Sequence, residues 1–144
     1  MDAPGSISIS SRKGIWRPAE KHYCVDPGFK TVAVPGVSQD LSHSLENVVY
    51  NELIARGFTV YIEKTYKGEI DFVAVKGRKK CFIQVSYLLD SKETEEREFG
   101  AFAPVKDASP KYVMSLDRFD RSHDGITHIN IEKWLKGEID LHLA

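Results

Sequence analysis

Between residues 58 and 87 the chain reads as three β-strands in succession, joined by connections too short to hold a helix. Phe58–Glu63, Glu69–Lys76 and Lys80–Tyr87 are each rich in β-branched and aromatic residues. Gly77-Arg78 suits a two-residue turn with glycine first, which makes the last two strands an antiparallel pair. Such a meander must be covered by other elements. Leu41, Leu45, Val48, Val49 and Leu53 fall at helical spacing and predict a helix over Asp40–Arg56, with Ser38 or Asp40 as its cap and Gly57 as its left-handed stop. A second helix is predicted from its cap Ser91 to about Ala103, then strands at Lys111–Leu116 and Ile126–Ile131 and a helical turn at Glu132–Lys136. Meander strands followed by a helical crossover predict an α/β fold of the α+β kind, a mixed sheet with helices packed on it.

At 144 residues the chain has room for one ordinary domain. A hydrophobic fraction of 42% supports a core and excludes a disordered chain, and a net charge of −1 excludes a surface that grips nucleic acid all over. Cys24 and Cys81 make neither a disulfide framework nor a zinc spacing, and both read as buried free thiols in a reducing cytoplasm. No apolar run is long enough to cross a membrane, and Met1–Gly14 lacks the apolar segment of a secretory signal. Residues 1–21 are expected to be a flexible leader and residues 22–144 the domain, with 22–39 a linker docked on it. Within that linker His22–Val25 suits a short strand, Asp26-Pro27-Gly28 a turn, and Phe29–Val34 a brief helical start ended by Pro35-Gly36. Lys67-Gly-Glu-Ile-Asp71 recurs as Lys136-Gly-Glu-Ile-Asp140 in a different structural setting, which reads as coincidence.

The chemistry-bearing feature is an acid in one strand facing a polar residue in the next. With Gly77-Arg78 as the turn, Lys76 pairs with Lys79 and Asp71 lies opposite Gln84. Alternation then puts Glu69 and Ser86 on the same face, while Ile70, Phe72, Ala74, Cys81, Ile83 and Val85 point the other way. On the first helix Glu46 flanks the apolar stripe and is open to facing Asp71, whereas Glu52 falls within the stripe and reads as a partner of Arg56. The five histidines have no ligand spacing. The basic tip Arg78-Lys79-Lys80 reads first as solvated, and Trp16, Tyr23 and Phe29 as docking surface rather than base-stacking platforms. No serine sits in a nucleophile elbow and no Gly-x-x-x-x-Gly-Lys-Ser/Thr loop exists, so this fragment has no ATP site of that kind.

Helix, a strand bearing Ile-Asp, a strand bearing the acid-x-Lys position, helix and strand resemble the core of the PD-(D/E)XK nuclease-like fold, Holliday-junction resolvase-like members included. Leu45-Glu-Asn-Val-Val-Tyr-Asn-Glu-Leu53, Glu69-Ile-Asp-Phe-Val-Ala-Val75, Ile83-Gln-Val-Ser-Tyr87 and Glu96-Arg-Glu-Phe-Gly100 resemble more narrowly the nuclease-like domain closing a family of prokaryotic AAA+ ATPases. His22-Tyr-Cys-Val-Asp-Pro-Gly-Phe29 resembles the segment joining it to a winged-helix region. The resemblance implies an aspartate and a glutamate holding Mg²⁺, a supporting helix glutamate and a lysine activating water. It places Asp71, Gln84 and Glu46 as metal residues and Ser86 at the lysine position, so all four are the candidate catalytic set. Gln84 and Ser86 depart from the pattern, one lacking charge and the other an ammonium. Lys64 or Lys67 offers a weak replacement from the first hairpin. The implied partners are the ATPase and winged-helix modules of a parent chain, with DNA as a further partner and no membrane. Two functions follow: a lapsed nuclease-fold domain acting in DNA or protein interaction or regulation, with Mg²⁺ bound weakly if at all, or an active Mg²⁺-dependent DNA endonuclease. The residues favour the first.

Overall fold

The computed structural model describes residues 10–11, 14–18 and 37–144, with side chains from Asp40 onward. The expected linker segment 22–36, with Cys24, Tyr23 and Phe29, lies outside the described residues, as does the side chain of Trp16. Strands β1 (Ser10–Ser11) and β2 (Gly14–Pro18) fall in the stretch read as a leader, and β2 pairs antiparallel with β3.

The remaining order is helix α1 (Val37–Ala55), strands β3 (Thr59–Thr65), β4 (Gly68–Lys76) and β5 (Lys79–Val85), helix α2 (Lys92–Gly100), strands β6 (Lys111–Ser115) and β7 (Thr127–Asn130), and helix α3 (Ile131–Leu135). Among the described residues seven strands lie side by side in chain order. β3, β4 and β5 form the antiparallel meander, while β5, β6 and β7 run parallel, so the sheet is mixed. The α+β architecture read from the sequence is the observed one. Lys76 pairs with Lys79 across a turn in which Gly77 has φ 65°, the left-handed value expected of its first residue.

Two apolar layers sandwich the sheet. Leu45, Val49 and Leu53 of α1 meet Phe72, Ala74, Cys81, Ile83 and Val85 on one face, joined by Trp134 of α3. Phe99 and Phe102 meet Tyr61, Val73, Phe82 and Val113 on the other. Three sequence expectations are corrected. The first helix starts at Val37, so Ser38 and Asp40 lie inside it and cannot be its cap. The second ends at Gly100, ahead of Ala103, where the hydrogen bonds tighten to three-residue turns, Phe102 N–H to the Phe99 carbonyl and Ala103 N–H to that of Gly100. Finally, Ile70 does not share a face with Phe72; it joins Val73 beneath α2. The cause is a β-bulge. Tyr61 pairs with Val73 and Glu63 with Ile70, so Asp71 and Phe72 together oppose Ile62. One extra residue reverses which side of the sheet the following positions face.

Candidate functional site

The bulge falls at the residue singled out for chemistry. At the end of the regular β4–β5 pairing, which runs to Phe72 opposite Ile83, side chains replace the backbone rungs. The Asp71 N–H donates to Gln84 Oε1 at 2.6 Å, and the Val85 N–H donates to Asp71 Oδ2 at 2.9 Å. Each polar side chain thereby satisfies the other strand's backbone where the bulge has disturbed the ladder.

A cleft of about 290 Å³ opens at this point, lined by Ser42, His43 and Glu46 of α1, Asp71 of β4, Gln84 and Val85 of β5, and Arg97 and Glu98 of α2. The structure thus brings Glu46, Asp71 and Gln84 together. Ser86 does not line this cleft: its hydroxyl donates to the Leu88 carbonyl at 3.4 Å. Glu46 lies 3.4 Å from the exposed imidazole of His43, one turn away. Glu69 and Gln84 line an adjoining cavity of about 390 Å³ with Lys67, Arg97 and Glu98, and Lys64 lines neither.

Glu98 is the site residue that the sequence reading missed. It sits beside core-seated Phe99, and its place one turn ahead of Phe102 is the signal that its carboxyl turns inward. Gln84 Nε2 donates to Glu98 Oε2 at 3.1 Å, and the exposed guanidinium of Arg97 lies 3.4 Å from Glu98 Oε1. Burial pushes the Glu98 carboxyl above its ordinary value; Arg97 and the Gln84 hydrogen bond pull it back, and nearby Glu46 adds to the rise. Glu52 and Arg56 form the expected pair at 3.1 Å, with Arg56 also stacked on Trp134.

Gln84 Oε1, the oxygen offered in place of a carboxylate, already accepts the Asp71 amide. Among the described residues no group of three or more His, Cys, Asp or Glu is arranged to hold a metal ion. At the basic tip, Lys80 is tied to Asp107 at 2.6 Å, leaving Arg78 and Lys79. Cys81 is buried as expected, and burial pushes its thiol up to about 12, far from a reactive thiolate.

A second polar group resembles a catalytic triad in composition only. His128 Nδ1 accepts the Arg121 N–H at 3.4 Å, which puts the ring proton on Nε2, 2.7 Å from Ser115 Oγ. Ser115 in turn donates to Asp117 Oδ2 at 2.6 Å. The carboxylate therefore holds the serine rather than the histidine, and Ser115 has no exposed surface. This network closes the crossover from β6 to β7 and offers no accessible nucleophile.

No helix among the described residues is long and apolar enough to cross a membrane. No solved structure matches the chain. A Haemophilus influenzae protein named only "Uncharacterized protein" is 28% identical over 124 residues, which is 85% of this chain and 30% of that relative. The chain therefore spans less than a third of the length of that relative. The model of a domain of unknown function, DUF4143, matches residues 41–134, from the first turns of α1 to Trp134 of α3 and so across the whole cleft, and the chain belongs to that family.

Proposed function

We propose that this domain is a PD-(D/E)XK nuclease-like module that no longer cleaves and that acts in protein interaction or regulation within a longer chain. The observation that carries this reading is the state of Gln84. Its Oε1 takes the Asp71 amide and its Nε2 serves Glu98, so the position that needs a second metal-binding carboxylate is a structural bridge. The lysine position is equally converted: Ser86 is turned to a carbonyl outside the cleft, and no lysine lines the cleft. Arg97 is the cation at its rim, and a guanidinium does not exchange protons at neutral pH.

The share of the Haemophilus influenzae protein that this chain covers supports a larger parent chain, in line with the ATPase and winged-helix modules the resemblance implies. The pairing of Lys80 with Asp107 removes one charge from the basic tip and favours a protein partner over DNA. The deciding experiment incubates the protein with Mg²⁺ or Mn²⁺ and branched, duplex or single-stranded DNA, beside Asp71→Asn. Equal background from both proteins is expected. Metal-dependent cutting that disappears in Asp71→Asn would establish the endonuclease instead.

A further inference from the structure

A cavity of about 610 Å³ lies between the C-terminal half of α2 and the turn that leads into β7. Phe99, Phe102 and Ile126 form its apolar wall, and Glu96, Lys111, His123 and Asp124 its polar rim. The wall is preformed. His123 stacks on Phe99 with ring centroids 4.0 Å apart and planes 17° apart. Its Nε2 lies 3.2 Å from Glu95 and its Nδ1 2.9 Å from Asp124. Asp124 (φ 53°) and Gly125 (φ 76°) form a tight two-residue turn, and His123 and Ile126 exchange both backbone hydrogen bonds across it, at 3.1 and 2.9 Å. A concave apolar space of this size, with few polar groups at its edge, is the usual form of a binding site.

Its rim carries two acids, Glu96 and Asp124, and one cation, Lys111. The Lys111 ammonium donates to the carbonyls of Asp107 and Ser109 at 2.6 and 3.3 Å, so it is held by the loop ahead of β6. Glu95 faces His123. Glu96 stands in solvent with Lys92 at 3.9 Å, an exposed pair of little strength, and the Asp124 side chain is 85% exposed. The space is thus aromatic within, and two of the three formal charges at its edge are acids, the tethered Lys111 being the third.

We infer that this cavity docks a segment of a partner protein that presents one aromatic or branched aliphatic side chain beside a lysine or arginine. The apolar side chain enters between Phe99, Phe102 and Ile126, and the cation meets Glu96 and Asp124. An anchor in a preformed pocket with charges at the rim is how small interfaces gain both affinity and register. The inference does not depend on whether the Asp71 cleft cuts DNA.

The test follows backbone amide NMR shifts of the whole chain on titration with acetyl-Gly-Lys-Phe-Lys-Gly-amide. Its controls replace both lysines by glutamate or the phenylalanine by alanine. The first peptide should move the amides of Phe99, Gly100, Gly125 and Ile126 and bind at least ten-fold more tightly than either control. Gly100→Leu puts a side chain on the lining: a Cβ there meets nothing within 4 Å and the backbone is not left-handed, so the position accepts one without a backbone clash. It should weaken the peptide at least ten-fold. Glu96→Gln with Asp124→Asn should erase the preference for lysine over glutamate, asparagine tolerating the left-handed turn. Equal binding of the three peptides, shifts centred elsewhere, or unchanged binding to Gly100→Leu would overturn the inference. So would 2-phenylethylammonium binding as tightly as the peptide, since the site would then be one for a small amine.

Discussion

Asp71 occupies a strand interior, where aspartate is normally disfavoured, because its carboxylate replaces a missing rung of the β4–β5 ladder. Asp71→Ala leaves the Val85 N–H buried without its acceptor and should cost about 2–3 kcal/mol in denaturant unfolding. Asp71→Asn keeps an acceptor and should cost about 1 kcal/mol or less. A large loss in both variants would show that the charge, rather than the hydrogen bond, holds the bulge. Glu98 gives a prediction of opposite sign. Its carboxyl is raised by burial, so the folded state retains a proton that the unfolded chain has lost, and stability falls as pH rises through the raised value. Glu98→Gln still offers an oxygen to Gln84 and should raise the neutral-pH melting temperature by a few degrees, with the gain gone below pH 4.5, the ordinary value. A gain that persists at low pH would locate the effect elsewhere. By the same reasoning Gln84→Glu with Ser86→Lys should lower the melting temperature without creating a metal site. The new glutamate would face Glu98 without the Nε2 donor, and Ser86 lies off the cleft.

At the scale of elements, the helix ends follow local chemistry. Gly57, with φ 89°, closes α1 as the sequence predicts: its N–H bonds the Ile54 carbonyl at 3.0 Å and the Phe58 N–H bonds Leu53 at 3.0 Å. Ser91 accepts the Thr94 N–H at 3.1 Å and caps α2, the helix that carries Glu98 and walls both the cleft and the apolar cavity. Ser91→Ala should destabilise the protein by about 1 kcal/mol, read as a shift in the urea midpoint at unchanged slope. An unchanged midpoint would mean that tertiary packing alone sets the start of α2. The β4 bulge was not legible in the same way. Its extra residue has no compositional mark, since Ile-Asp-Phe-Val reads as a regular alternating strand until it is paired with β3.

At the scale of the molecule, the crossover from β6 to β7 is a loop joining two parallel strands with no helix among the described residues to cover it. The Ser115–His128–Asp117 network replaces that helix, with Asp117 also accepting the Leu89 N–H at 2.7 Å and Ser122 the His128 N–H at 2.8 Å. Burial holds the His128 imidazole below its ordinary value, against the pull of Asp117. The unfolded chain therefore takes up a proton first on acidification, and stability should decline as pH falls through 6.5 until the folded state protonates as well. Thermal melts between pH 8 and pH 5 should show this decline and its loss in His128→Gln. Parallel curves for the two proteins would remove His128 as its source.

What could be read from the residues was what local rules decide: the meander, the Gly77 turn, the Ser91 and Gly57 helix signals, and the facing of Asp71 and Gln84, with Glu46 left open. Each follows from periodicity, turn chemistry or strand register, which act over a few residues. The roles of the polar groups depended on contacts between distant segments. Only the pairing of β3 with β4 revealed the bulge, only the seating of α2 brought Glu98 to Gln84, and only the loop between β6 and β7 joined Ser115 to His128. A buried polar atom takes whichever partner the fold places within about 3 Å, and sequence spacing does not record that choice.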